Sequence, residues 1–572
     1  MKKDNKGAVA AYLLLAGSLF LLLFLNIAYH DHWLDSDMAA EMIFSKQLAE
    51  TGHFFATPDW YYSTEFRFLY THWIMGPLFH FIGSWHVIRM ITNLVTYGLM
   101  LASYFFFMKP FKVRRSLVVG SSALLLLPFS ETMITHMQMG NTYMFHVIIA
   151  FLFMGCFARI TSCDAVRKQV KPADAAKSQS AGSGKSQAAG NAKPQAISNA
   201  KSQPGSGKLP WLIAYLALSI ICGVSGVRYL LALQCPLVIA MFIFALRSAE
   251  FEGFRKELTA SNYKGKCKDF LHSFSLTYFW YAMLGLIAAG VGYGINLFYV
   301  CRNYVFQTYE ATNFVSVYQG IFLNRVQDAF GSLIMLFGYI PDKGLLSLRG
   351  LISMIAFVLI LLFGFVAVSS AKAEKGRRGM LVTFFWAAFA LNVFIFIFST
   401  STMVPRYYLT IYVFLLPILC FYLEKEEKLF DRFAVVTILV ICMALATGKV
   451  VLSFATTDKN ADRRQVAQEL KNSGIKFGYA TYWNANILTE LTDGQVEVAN
   501  VGDAENLEFF RWSSPRKYYD IPYDGPVFLL LTQEEYANAQ DAASVKAGEI
   551  IYNARGYVIL RYDDQSKLLN TK

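Results

Sequence analysis

The sequence predicts a mainly α-helical, polytopic membrane protein that ends in a small α/β domain. Three observations carry this expectation. First, 55% of the 572 residues are hydrophobic and only 16% are charged, against roughly 25% charged in a soluble globular chain. Second, the apolar residues gather into runs long enough to cross about 30 Å of hydrocarbon. Third, after the last run, charged helical patterns alternate with short apolar strands. With 49 Phe and 32 Tyr, the chain carries far too much apolar surface to be disordered.

The apolar runs fall at 8–29, 88–108, 116–133, 142–160, 210–227, 229–246, 275–300, 348–369, 380–399, 408–423 and 432–454, which makes about eleven transmembrane helices. The first run follows Lys2, Lys3 and Lys6 but no small-residue cleavage motif comes before His30, so it reads as an uncleaved span. Lys109, Lys112, Arg114 and Arg115 lie on the same side as the N-terminus when eleven spans are counted. So do the 161–209 segment, the 247–272 loop (Arg255, Lys256, Lys264, Lys266, Lys268) and Lys372, Lys375, Arg377 and Arg378. That side is the cytoplasm by the positive-inside rule. The odd count then places residues 30–87 and the C-terminal domain, 456–572, outside. The formal net charge of +12 is used in setting orientation, and no nucleic-acid partner is expected.

Residues 1–455 are thus expected to be the membrane domain. Within it, 161–209 reads as a disordered cytoplasmic loop of Lys, Ser, Ala, Gln and Gly, with Lys177, Lys185, Lys193 and Lys201 spaced eight residues apart. Residues 328–341 are apolar but too short to span and read as a re-entrant or interfacial helix. In 456–572, Arg463–Leu470 reads as helix, and 477–482, 496–501, 527–531 and 557–562 as strands. The eight Cys are scattered without a CxxC pair, so neither a disulfide framework nor a zinc site follows from them.

The candidate chemistry lies at the outer membrane edge. Charges inside the spans are nearly absent, which counts against an ion-driven carrier. They collect instead where spans meet the outside, at Asp31, Asp35, Asp37, Glu41, Glu65, Arg67, Arg228, Arg302, Arg325, Lys343 and Arg406. After Asp37 the chain reads as an amphipathic helix, with Met38, Met42, Ile43 and Leu48 toward one side. A carboxylate at such a helix start is favoured by the free amides, so Asp37 reads either as an N-cap or as a catalytic group.

An acidic residue just after the first span, then an amphipathic helix ending in LAETG and an aromatic loop, resembles the GT-C superfamily of membrane glycosyltransferases. The likeness is to the protein O-mannosyltransferase and lipid A aminoarabinose transferase group. Asp37 stands fifteen residues before Gly52, as the catalytic Asp of that group does before its Gly. Met38 replaces the usual Glu. Asp35-Ser36-Asp37 is also similar to the DxD of oligosaccharyltransferases, which holds a divalent metal. Thr71-His72 with Gly76-Pro77-Leu78, then Arg89, resembles the His-Pro-Pro-Leu stretch leading into span two, and VPRYYLTIYVFLLP (404–417) resembles a late R-Y-x-x-P element.

The resemblance implies an inverting transfer of a sugar from a polyprenyl-phosphate donor to a cell-envelope acceptor (glycopolymer, lipid or protein) at the outer face of a cell membrane, with bacteria as the expected source. Asp37 would be the general base, with Asp35 as the second carboxylate. Arg228, Arg406 and His72 would hold the donor phosphate. Glu65, Arg67, Tyr61, Tyr62 and Tyr407 would line the sugar or acceptor pocket. No cofactor is required by this reading, while a divalent cation (Mg or Mn) on Asp35 and Asp37 is the alternative implied by the DxD pattern. Two competing readings are a lipid-linked sugar flippase and a membrane scaffold. The chargeless spans disfavour the first, and the number of spans disfavours the second.

Overall fold

The computed structural model describes residues 2–179, 207–257, 274–307, 312–341, 344, 346–425, 428–503 and 505–569. Helix α1 (Lys2–Tyr29) leads into α2 (Ser36–Thr51), the short strand β1 (Trp60–Tyr62), α3 (His72–Leu78) and α4 (Trp85–Met108). Among the described residues, seven helices are long and apolar enough to cross a membrane. Two bent pairs, Leu230–Leu246 with Glu250–Lys256 and Pro405–Tyr412 with Leu415–Lys425, meet the same test when each is taken together. The two remaining apolar runs form shorter helices, Arg115–Leu126 and Leu209–Val224. The eleven expected spans are therefore seven continuous helices, or nine with the bent pairs, and two helices that stop short.

The run at 116–133 stops for a local reason. Leu127 is extended (φ −73, ψ 123) because it precedes Pro128, which excludes the helical conformation before it and has no N–H to donate. The chain turns helical again only in a π-type segment, Met133–Met139. The break frees carbonyls that a bilayer cannot hydrate. The buried Gln138 amide compensates by donating to Leu125 O at 2.9 Å and Leu127 O at 3.3 Å.

The loops sort to opposite ends of the bundle as the charge pattern requires. At one end Arg114 and Arg378 both meet Glu424, while Arg377 donates to Pro110 O and Ser162. At the other, β1 pairs in parallel with β2 (Val305–Phe306) and antiparallel with β5 (Ser514–Pro515). That three-stranded sheet joins the first loop, a later loop and the C-terminal region. The helix Phe322–Leu336 lies at this end too, with Arg325 donating to Thr400 O and Ser401 O. It buries one face, at Ala329, Ser332 and Leu336, and begins before the apolar stretch at 328–341.

The helix Met144–Gln179 runs into the first part of the expected disordered loop. Residues 180–206, with Lys185, Lys193 and Lys201, lie outside the described residues, as do Lys264, Lys266, Lys268 and Lys343.

The C-terminal sheet has the order β4-β3-β6-β8-β7, with β3 (Phe477–Thr481), β4 (Glu497–Val501), β6 (Val527–Thr532), β7 (Glu549–Ala554) and β8 (Tyr557–Tyr562). β3 runs parallel to β4 and β6, and β8 antiparallel to β6 and β7. Sequence periodicity misses β7, an edge strand that is largely exposed. Arg555 and Gly556, both at positive φ, make its hairpin turn.

This domain is bolted to the membrane part through α2 and α4. Arg89 on α4 is fully buried and pairs with Glu490 through two hydrogen bonds, Nε to Oε1 at 2.8 Å and Nη2 to Oε2 at 2.7 Å. Nη2 also donates to Met38 O at 3.0 Å. The Trp85 N–H donates to Asp493 at 2.9 Å. With the helix Tyr482–Leu491 laid over it, α2 is buried on its polar side as well, including Ser36 and Glu41. The amphipathic pattern read along the sequence accounts for only one of its two buried faces.

Candidate active site

Asp35, not Asp37, caps α2. Asp35 is extended (φ −116, ψ 171) and its Oδ1 accepts the Met38 N–H at 2.8 Å, which satisfies one of the free amides of the first turn. At the far end Gly52 takes the left-handed conformation (φ 69) that closes the helix. The Asp37 carboxylate is thus released from the helix and faces a cavity of about 560 Å³. Burial, reinforced by the neighbouring Asp37 charge, pushes the Asp35 carboxyl up to about 6, against the pull of the Met38 N–H.

Two groups hold Asp37. The Tyr482 hydroxyl donates to its Oδ1 at 2.7 Å, and Arg406 Nη1 lies 3.5 Å from its Oδ2. Tyr482 grips the helix start twice, since its backbone carbonyl also accepts the Ser36 hydroxyl at 2.5 Å. Arg406 is delivered by Pro405, which keeps Val404 extended and starts a 3₁₀ turn, Pro405–Tyr408. Behind α2, the Met133–Met139 segment packs so closely that a Cβ on Gly140 would lie 2.8 Å from the Met38 side chain.

Two further carboxylate–guanidinium pairs line the same cavity. Arg228 Nε sits 2.5 Å from Glu65 Oε1, and its Nη1 donates to the Tyr143 hydroxyl at 2.9 Å. The turn that presents Arg228 needs Gly226 at φ +110. Arg67 pairs with the buried Glu41 and lies 4.8 Å over the Tyr70 ring. Tyr407 stacks on Phe396 at 5.0 Å and carries Arg228 on its face at 5.5 Å. Three acids and three arginines thus face one cavity as matched pairs: Asp37–Arg406, Glu65–Arg228 and Glu41–Arg67.

Of the residues singled out by sequence, Asp37, Arg228, Arg406, Glu65, Arg67 and Tyr407 line this cavity. Asp35 does not, being committed to the helix cap. The divalent-cation reading of Asp35 and Asp37 does not fit this arrangement. One Asp35 oxygen, Oδ1, is used by a backbone amide, and Asp37 already holds a hydroxyl and a guanidinium that a cation would have to displace. His72 is also outside the cavity. It is buried against Phe44 with neither ring nitrogen hydrogen-bonded, and burial lowers it to about 3 with help from Arg67, so it offers a phosphate no charge. Tyr61 and Tyr62 belong to the sheet instead. Tyr61 donates to Asp520 at 2.6 Å, and Tyr62 exchanges hydrogen bonds with the Thr57 backbone.

The C-terminal domain supplies cavity residues that sequence reading misses: Tyr482, Trp483, Phe510 and Trp512. They sit more than 400 positions from Asp37, and no local period marks them. A larger cleft, about 1190 Å³, runs along Gly376–Ile397 from a charged end at Arg247, Glu252, Lys372, Glu374 and Lys375. It shares no residue with the Asp37 cavity and lacks its convergent acid–arginine pairs, so the smaller cavity is the chemical candidate.

No protein-family model and no curated protein matches the chain. Two solved structures align over nearly its whole length. The crystal structure of ArnT from Cupriavidus metallidurans bound to undecaprenyl phosphate gives a TM-score of 0.48 at 12% identity, covering 96% of this chain and 97% of that one. The apo-state structure of the same protein gives 0.49 at 10% identity, covering 98% of each. At these values the likeness assigns no chemistry to this chain.

Proposed function

We propose that this protein is an inverting glycosyltransferase of the GT-C type. It would pass a sugar from a polyprenyl-phosphate carrier to a hydroxyl of a cell-envelope acceptor, at the outer face of a bacterial cell membrane. The observation that carries this reading is the Asp37 carboxylate, freed from its helix and facing Arg406, with Arg228 on the neighbouring Tyr407 ring.

The chemistry follows from those groups. Asp37 takes the acceptor's hydroxyl proton as that oxygen attacks the anomeric carbon. The bond from that carbon to the phosphate oxygen breaks, and the polyprenyl phosphate leaves with the electron pair. Attack opposite the leaving group inverts the carbon. Arg406 and Arg228 receive the added phosphate charge, for which a guanidinium fork is well matched. In the resting site each arginine is neutralised by a carboxylate. A donor phosphate competes with Asp37 for Arg406 and so releases the carboxylate to accept a proton. Trp483 and Trp512 offer flat faces of the kind that pack on sugar rings.

Transfer from a radiolabelled polyprenyl-phosphate sugar by the purified protein tests the reading. Arg228→Ala and Arg406→Ala should each lower donor kcat/KM by about 30- to 1000-fold, the equivalent of about 2–4 kcal/mol for a desolvated charged contact. Wild-type transfer with unchanged donor kinetics in both variants would make the two arginines membrane-interface anchors.

A further inference from the structure

We propose that His30, Asp31 and His86 form a divalent-metal site, matched to zinc, that pins the outer end of the first span to the start of the second. His30 and Asp31 directly follow α1, and His86 is the second residue of α4. Asp31 Oδ1 lies 3.3 Å from His30 Nδ1 and 3.5 Å from His86 Nδ1. All three donor atoms lie within 4.8 Å of one another. A tetrahedral ion with ligands at about 2.0–2.2 Å sets them about 3.3–3.6 Å apart, so both carboxylate-to-ring distances are already edges of such a site. A small rotation of the partly exposed His86 ring closes the third.

The hydrogen bonding points to a ligand as well. His86 Nδ1 is buried and faces the Asp31 carboxylate at 3.5 Å without an aligned hydrogen bond. His30 is 2% exposed and turns its Nδ1 to the same Asp31 oxygen. A buried ring nitrogen left poorly satisfied is costly, and a metal ion between the three groups would satisfy the His86 nitrogen directly. Two imidazoles and one carboxylate suit zinc, whereas magnesium and calcium favour oxygen ligands throughout. The Asp31 and His86 side chains are 45% and 37% exposed, which leaves an approach path and room for a water as fourth ligand. The nearby Arg89 charge is offset by its two hydrogen bonds to Glu490. Asn460 of the C-terminal region donates to the Asp31 carbonyl at 2.9 Å and steadies that residue.

None of the three lines the Asp37 cavity, so the role is structural. The ion would close the segment that carries α2, and with it Asp37, by joining its two ends. Full-length protein in detergent, incubated with stoichiometric zinc and desalted, is analysed for metal content and unfolding temperature; a cobalt-loaded sample gives the visible spectrum. Wild type should retain about one zinc per chain, show the intense bands of tetrahedral cobalt and melt at a higher temperature with zinc. His86→Ala should elute as wild type does but lose all three signatures, and His86→Cys, which keeps a ligand, should restore metal retention. Zinc absent from wild type, or retained equally by His86→Ala, would overturn the site. Neither result depends on sugar transfer.

Discussion

Replacing Tyr482 with Phe removes one oxygen from the site and leaves the ring packed against Trp483 and Phe510. That oxygen donates to Asp37 Oδ1 at 2.7 Å. A hydrogen bond to a charged group is worth about 1.5–3 kcal/mol, and this one fixes the direction in which the carboxylate faces the cavity. Its loss leaves Asp37 held by Arg406 alone, at 3.5 Å. Transfer in Tyr482→Phe should therefore fall about 10- to 100-fold in kcat/KM. The assay is transfer of radiolabelled sugar from a polyprenyl-phosphate donor, with equal elution profiles as the folding control. A Tyr482→Phe protein with wild-type kcat/KM would show that the C-terminal domain covers Asp37 without positioning it.

Glu490→Gln should destabilise the protein by about 3–5 kcal/mol, because the Arg89 charge, fully buried, loses its carboxylate. The checks are a lower unfolding temperature and faster proteolytic release of the C-terminal domain. Asp35→Asn keeps a capping oxygen but cannot ionise. The carboxyl ordinarily titrates at 3.8 and is pushed up to about 6 in the fold, so the folded protein favours its protonated form. That stabilisation is complete below pH 4 and is lost as pH rises through 6, at up to about 3 kcal/mol. Relative to Asp35→Asn, wild type should therefore lose unfolding temperature between pH 4 and 7, and a constant difference across that range would contradict the burial of Asp35.

What the sequence discloses is what local periods and local chemistry encode. The apolar runs appear as helices because span length is a local property, although Pro128 cuts one of them and the repair by Gln138 is invisible until the fold brings it back. Strands β3, β4, β6 and β8 are legible as buried apolar segments, while β7 has an exposed pattern. Asp37, Arg406 and Arg228 are legible from their place at the ends of apolar runs. Their pairing with Tyr482, Tyr143 and Glu65 is a property of long-range contact. Tyr61, Tyr62 and His72 mislead because an aromatic or His in an outer loop looks alike whether it faces a ligand or a sheet neighbour. Asp35 and Asp37 also look alike in sequence, and only the backbone geometry assigns the cap to one and the cavity to the other.

The role of Asp37 as the base is tested most directly by single-turnover transfer with wild type and Asp37→Asn under saturating donor. Asn at this position retains the shape, and Asp35 caps the helix independently, so the variant should fold, with stability changed by well under about 1 kcal/mol. Loss of the proton acceptor should slow transfer by about 10²- to 10⁴-fold while donor binding persists. Transfer at near the wild-type rate by a folded Asp37→Asn protein would contradict the assignment.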